Sequence, residues 1–269
     1  VEHLTRYDDF ALALNEAGFL VIGNDHLGHG LTAKDEDLGY FGAERSKTVV
    51  DDLYAVTKYA KETYGGDIPY FLFGHSMGSF MARRYIMTYG KELTGAIICG
   101  TGRQPGIVLF GGRFLAAAIG LFKGERHKPE LLDKIAFGAY NKRIENPTSK
   151  SAWLTKDEAI VKSYDGDKYC TFKFTVDGYK TLFESIAFIQ KKANIEKIPK
   201  DLPIYLVAGA EDPVGEYGEG VKIVYNSYVA AGIKPVEIKL FEGDRHEILN
   251  ELDRKSVYSD ICGWIRKYI

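Results

Sequence analysis

Sulfur and indole are scarce in this chain, which has three cysteines, three methionines and two tryptophans in 269 residues. Cys99, Cys170 and Cys262 are far apart and odd in number, which excludes a disulfide framework and metal-type cysteine spacing. They read as small buried hydrophobes in a protein of a reducing, cytoplasmic compartment. An excess of charge is missing too: 35 basic and 37 acidic residues leave a formal charge of −2, with no long run of one sign. A nucleic-acid partner is therefore not expected. No apolar run is expected to span a membrane. The most apolar one, GIVLFGGRFLAAAIGLF from Gly106 to Phe122, is broken by Arg113 and rich in glycine, which suits a membrane surface better. The N-terminal VEHLTRYDDFALAL has neither a basic segment leading into an apolar one nor a lipidation signal, and it begins without methionine. The chain is thus expected to start inside a longer gene product. Internal repeats and low-complexity tracts are absent as well.

What is present is ordinary globular material, 45% hydrophobic and 27% charged, enough for one large α/β domain or a domain plus an insertion. Short β-rich runs alternate with helical patterns. GFLVIGNDH, YFLFGHS, GAIICGTG, PIYLVAGAED and VEIKLFEGDRH each put a buried-strand run before glycine or a polar loop. Helical periodicity recurs at Val49-Leu53-Val56-Ala60, Phe80-Met81-Arg84-Tyr85, Val221-Val224-Tyr225-Tyr228 and Val257-Ile261-Trp264-Ile265. Such alternation indicates a parallel sheet covered on both faces. From about Gly102 to Lys200 it stops, while apolar and aromatic residues such as Phe110, Leu115, Phe174 and Phe183 remain plentiful. This segment reads as an inserted, mainly helical subdomain, giving a core of 1–101 and 201–269 around an insertion of 102–200.

The chemistry centres on YFLFGHSMGS at 70–79. An apolar strand run enters Gly74-His75-Ser76-Met77-Gly78 and helical spacing follows, so the pattern is strand, tight turn, helix. A G-x-S-x-G turn of this kind lifts a serine hydroxyl above the sheet in a strained backbone conformation, with flanking glycines that let strand and helix approach. Alone, it also fits an ordinary turn. A serine nucleophile needs a base and a carboxylate that orients the base. VAGAEDPVG offers Glu211 and Asp212 directly after a strand run; Asp212 is preferred because Glu211 is nearer the strand end and has the longer side chain. FEGDRHEIL offers His246 in a loop after the last strand run. The order serine, acid, histidine is the one that an α/β-hydrolase sheet requires. His75 more often shapes the elbow than acts as base. His26 and His29, three apart in a loop, lack a third ligand nearby, and no metal is expected.

With these pieces in place, the sequence resembles the monoacylglycerol lipase and lysophospholipase branch of the α/β-hydrolase superfamily, also grouped with serine aminopeptidase-like hydrolases. The matching elements are EHLTRYDDFALAL, NDHLGHGLT, GHSMGS, AYNKRIENPTSKSAWLTKD, GAEDPVG and GDRHEILNE, which together reach across nearly the whole chain. Leu27 stands where the family often has arginine, a change expected to affect packing more than chemistry. The resemblance implies an α/β-hydrolase fold with a mostly parallel sheet and a helical cap at 102–200. It implies Ser76 as nucleophile, Asp212 as orienting acid, His246 as general base and the Met77 backbone N–H as an oxyanion donor. The family's second oxyanion donor follows an H-G pair just upstream of the E-H-x-x-R-Y element. That donor and the preceding edge strands are missing from the chain and are expected before Val1.

The implied activity is hydrolysis of carboxylic esters of single-chain lipids, monoacylglycerol or lysophospholipid, through an acyl-enzyme on Ser76 and without a cofactor. Phe110, Leu115, Phe174, Phe183 and Val214 are the candidates for contact with the acyl chain, and the cap is a candidate for transient contact with a membrane surface. A general carboxylesterase, an aminopeptidase-like amide hydrolase and a noncatalytic binding protein on the same fold are the alternatives.

Overall fold

Ile204, Leu206 and Ala208 face one way and Tyr205 and Val207 the other, so a six-residue run of apolar side chains must be covered on both sides. The computed structural model, which describes residues 1–42 and 45–269, builds a four-stranded parallel sheet around this run. Its strands are β1 (Phe71–His75), β2 (Gly95–Cys99), β3 (Ile204–Gly209) and β4 (Val236–Phe241), hydrogen-bonded in that order. The register sets His75 opposite Cys99, Cys99 opposite Val207 and Val207 opposite Lys239. All four strands therefore end at one edge, where a parallel sheet collects its functional loops.

The helices are α1 (Asp8–Glu16), α2 (Arg45–Tyr64), α3 (Met77–Tyr89), α4 (Gly106–Lys123), α5 (Glu130–Phe137), α6 (Glu158–Gly166), α7 (Lys168–Thr171), α8 (Val176–Ile189), α9 (Lys192–Ile195), α10 (Glu219–Ala230) and α11 (Arg254–Ile265). On one face of the sheet Phe10 and Leu14 of α1 and Val257, Ile261 and Trp264 of α11 cover Ile97, Cys99, Tyr205 and Val207. On the other, Phe80 and Ile86 of α3, Val221 and Val224 of α10 and Ile186 and Ile189 of α8 cover Ala96, Ile98, Ile204 and Leu206. Each fully buried aliphatic side chain in these layers contributes roughly 1.5–3 kcal/mol.

The fifth expected strand, GFLVIGNDH at 18–26, is not one. The segment has no regular secondary structure and pairs with none of the four strands, and Leu20 is 57% exposed. β-propensity reports a fit to neighbouring strands, and without a ladder it does not make a strand by itself. The segment is anchored by side chains instead. The Asp25 carboxylate accepts the N–H groups of Leu4 at 2.7 Å and Leu31 at 2.8 Å.

Between β2 and β3 lie α4 to α9 and, among the described residues, no strand. The insertion shares its core with the sheet layer, because α8 packs on α2, α3 and α4. Asp177 in the first turn of α8 is buried and accepts from the N–H of Phe41 at 2.8 Å, the N–H of Gly42 at 3.1 Å and Nε of Arg45 at 3.1 Å. The departure point of the insertion is pinned by buried Arg83, which donates to the Gly102 carbonyl at 2.8 Å and to the Tyr228 hydroxyl at 3.2 Å. A buried guanidinium is tolerated there because Nε and Nη1 find three oxygen acceptors, the third being the Thr101 hydroxyl at 3.2 Å.

Candidate active site

Ser76 is the residue between β1 and α3, with φ 54° and ψ −120°, a conformation that side-chain-bearing residues rarely adopt. Such a residue costs on the order of 1–3 kcal/mol and persists only where its surroundings enforce it. Here its N–H donates to the Cys99 carbonyl at 3.0 Å, and its own carbonyl accepts from the N–H of Ser79 at 2.9 Å and the hydroxyl of Ser79 at 2.6 Å. The two flanking glycines differ in role. A Cβ on Gly74 would lie 2.4 Å from the Gly78 carbonyl oxygen and 2.8 Å from Ala82 Cβ, whereas one on Gly78 would meet nothing within 4 Å. Only Gly74 is required by the approach of strand and helix. Met77 opens α3, so its N–H has no carbonyl four residues back to bond within the helix.

Asp212 follows β3 and is completely buried. Its Oδ1 accepts the Val214 N–H at 2.8 Å and its Oδ2 lies 2.9 Å from Nδ1 of His246, itself buried in the loop after β4. With a carboxylate as acceptor, Nδ1 carries a hydrogen, so that in the neutral ring the lone pair is on Nε2. Nε2 is buried and has no hydrogen-bond partner in the structure. This is the protonation pattern of a general base. Glu211, the competing acid, is half exposed and pairs with Lys156 at 3.3 Å.

Three neighbours of His246 had no assigned role in the sequence. Gly100, at φ 58°, directly follows β2 at a point where a Cβ would come within 3.1 Å of both the His246 and the His75 rings. Its only signal was a glycine after a strand run. Trp153, from the insertion, lays its ring 4.9 Å from that of His246, and Tyr140 packs on Trp153 at 4.7 Å. Burial, and then the Asp212 charge, raise the Tyr140 hydroxyl above its ordinary pKa. Both aromatics lie in the AYNKRIENPTSKSAWLTKD element. The insertion also holds the histidine loop by its backbone, since the Leu154 carbonyl accepts the Glu247 N–H at 2.7 Å and the Ala152 carbonyl accepts from Nη1 of Arg245 at 2.7 Å.

The five acyl-chain candidates do not converge. Helical spacing turns Leu109 and Ala116 of α4 inward and Phe110 and Phe114 outward, where they line a hollow of about 450 Å³ with Arg113 and Lys180. That hollow excludes the triad candidates. Phe174 is buried among His29, Phe41 and Tyr179, and Leu115 and Phe183 pack against the same cluster. Val214 alone is next to Asp212. Ring packing also explains His29: burial drives its pKa down to about 3, despite the Leu27 carbonyl 3.0 Å from Nδ1. Cys170, whose thiol burial pushes up to about 12, lies with His3 and Asp167 in a group whose ligand-type atoms fall within 4.8 Å of one another.

Asp244, two residues before His246, carries a pH prediction. Burial, followed by the charges of Asp253 and Glu251, raises its carboxyl to about 7. The unfolded value is about 3.9, so between roughly pH 4 and 7 the folded chain keeps a proton that the unfolded chain has lost. Stability from this group therefore falls as pH rises through that window. Asp244→Asn is expected to be about 1–2 kcal/mol more stable than wild type at pH 8 and level with it near pH 4, the full shift being reduced by solvent screening. Urea unfolding at the two pH values checks this; the same difference at both would contradict it.

The fold agrees with what comparison finds. A family model described as serine aminopeptidase, S33, matches residues 1–253. Among solved structures, a thermostable carboxyl esterase from Bacillus coagulans superposes with a TM-score of 0.91 at 36% identity, covering 99% of this chain and 86% of that one. Rat (Rattus norvegicus) monoglyceride lipase is 25% identical over 273 residues, 98% of this chain and 78% of that protein. An uncharacterised abhydrolase domain-containing protein of Dictyostelium discoideum is 24% identical over 271 residues, and there the chain spans only 25% of the relative's length. With a family match over most of its length and a near-complete structural superposition, the chain belongs to the serine aminopeptidase S33 family and has the α/β-hydrolase fold.

Proposed function

We propose that the protein is a serine hydrolase of lipid carboxylic esters with a single acyl chain. The observation that carries this reading is the buried Asp212–His246 contact of 2.9 Å at the same sheet edge as the strained Ser76 elbow. In the proposed reaction, His246 Nε2 takes the Ser76 hydroxyl proton as Oγ attacks the ester carbonyl, and the Met77 amide donates to the developing oxyanion. Collapse expels the alcohol, which leaves with the proton from His246. Water, deprotonated by the same nitrogen, then releases the fatty acid and restores Ser76.

A monoacylglycerol or a lysophospholipid is the substrate class. The insertion at 102–200 serves as the cap, and its α4 presents exposed Ile107, Phe110, Phe114, Leu121 and Phe122. By length and mean hydropathy, 1.6, α4 is apolar enough for a membrane. With Arg113 and Lys180 beside the two phenylalanines, it suits the lipid surface from which such a substrate is drawn.

The test is hydrolysis of monoacylglycerol, lysophosphatidylcholine and an aminoacyl anilide side by side. One of the two lipids is expected to exceed the anilide in kcat/KM by at least about 100-fold, a margin of roughly 2.7 kcal/mol. Activity confined to the anilide would overturn the ester reading. In the same experiment the protein should float with liposomes, and a protein left at the bottom of the gradient would remove the membrane contact.

A further inference from the structure

A partly buried polar cluster joins the Glu2–Tyr7 stretch to the segments that carry Ser76 and His246. Glu247, next to His246, forms a two-pronged ion pair with Arg6 at 2.6 Å and 2.6 Å, and Arg6 also donates to Glu2 at 3.0 Å. Tyr7 donates its hydroxyl to Glu2 at 2.7 Å. The remaining member is His75, the last residue of β1 and the one before Ser76. Its Nε2 lies 3.1 Å from the main-chain carbonyl of His246, and its ring is 4.7 Å from the His246 ring.

The acceptors around His75 fix its hydrogens. A carbonyl cannot donate, so Nε2 carries a hydrogen and gives it to His246. On the other side, Nδ1 faces the Tyr7 oxygen at 3.3 Å, whose proton is committed to Glu2, and the Glu2 carboxylate at 3.5 Å. Both are acceptors, which favours a second hydrogen on Nδ1. Burial opposes that charge, but the Glu2 hydrogen bond and the Glu2 and Glu247 charges outweigh it, and the pKa of His75 is raised. Glu2 is correspondingly held below its ordinary value: burial works against the carboxylate, and His75 and Arg6 more than compensate.

His75 is thus covalently one residue from Ser76 and hydrogen-bonded to His246. Taking the serine-hydrolase reading above as its basis, we propose that His75, oriented by Glu2, is a positioning residue that sets the distance between nucleophile and base. Glu247 and Arg6 make a second attachment at the adjacent residue of the same loop. The device has a geometric reason. Proton transfer from Ser76 needs His246 Nε2 within hydrogen-bond reach, and those two groups come from loops after different strands. A displacement of about 1 Å can cost on the order of 100-fold in rate.

The test compares His75→Leu, His75→Asn and His75→Gln in the full-length protein, using ester hydrolysis and the rate of Ser76 labelling by a fluorophosphonate. Glutamine carries an N–H about as far from the backbone as Nε2, asparagine is too short, and leucine has none. His75→Leu and His75→Asn are expected to lose about 10- to 100-fold in kcat with KM within about twofold, while His75→Gln recovers most of the loss. If His75→Leu fails to fold, the asparagine and glutamine variants decide between themselves. Equal kcat for these two, or wild-type kcat in His75→Leu, would overturn the proposal. A wild-type protein that neither labels nor hydrolyses esters would overturn the hydrolase reading instead, and the positioning role would fall with it.

Discussion

Ser76→Ala is expected to lower kcat for ester hydrolysis by about 10⁴- to 10⁶-fold and to abolish labelling by a fluorophosphonate. The size of the effect follows from what the hydroxyl does in the proposed reaction. Without it no acyl-enzyme forms, and only binding and oxyanion contacts remain to assist direct attack by water. The fold should not suffer. Ser76 is held at φ 54° by hydrogen bonds of its backbone, and alanine can make the same ones at the same strain. Unchanged thermal unfolding together with lost turnover would therefore locate the defect in the chemistry. Labelling that persists at full level in Ser76→Ala would place the nucleophile elsewhere.

Asp212→Asn is expected to cost about 10⁴-fold in kcat, nearly as much as losing the serine. The substitution is close to isosteric at a fully buried site, so packing is preserved. Asparagine Oδ1 can still accept the Val214 N–H. The side chain facing His246 then presents an N–H where Asp212 presents Oδ2, and Nδ1 must become the acceptor. Its hydrogen moves to Nε2, which can no longer take a proton from Ser76. Glu211→Gln is the matched control, since Glu211 is half exposed and pairs with Lys156, and it should stay within about twofold of wild type. Comparable losses in both variants, or less than tenfold in Asp212→Asn, would count against the assignment of the acid.

Much of the architecture was legible in the sequence because it depends on local patterns. The runs at 71–75, 95–99, 204–209 and 236–241 are strands because their apolar side chains need cover on both faces. The helical spacings at Val49, Phe80, Val221 and Val257 survive as α2, α3, α10 and α11. The exception is informative: residues 18–26 have strand composition but no ladder. Periodicity could not decide which aromatic residues of the insertion face outward. Phe110 and Phe174 looked alike in sequence, yet the turn of α4 leaves one in solvent and the packing of α8 encloses the other.

The order Ser76, Asp212, His246 and the G-x-S-x-G spacing were set by the sequence alone, as was the family, because each rests on residue identity within a few positions of a strand end. Other features belong to the tertiary structure, because they join positions remote in the chain. The closure of Asp212 on His246 spans 34 residues. Gly100 admits two imidazoles, one at the end of β1 and the other in the loop after β4. The hydrogen bond from His75 to the His246 carbonyl spans 171 residues, and the ion pair of Arg6 with Glu247 spans 241. A parallel sheet brings distant segments to one edge, and no local pattern records which side chains then meet across it.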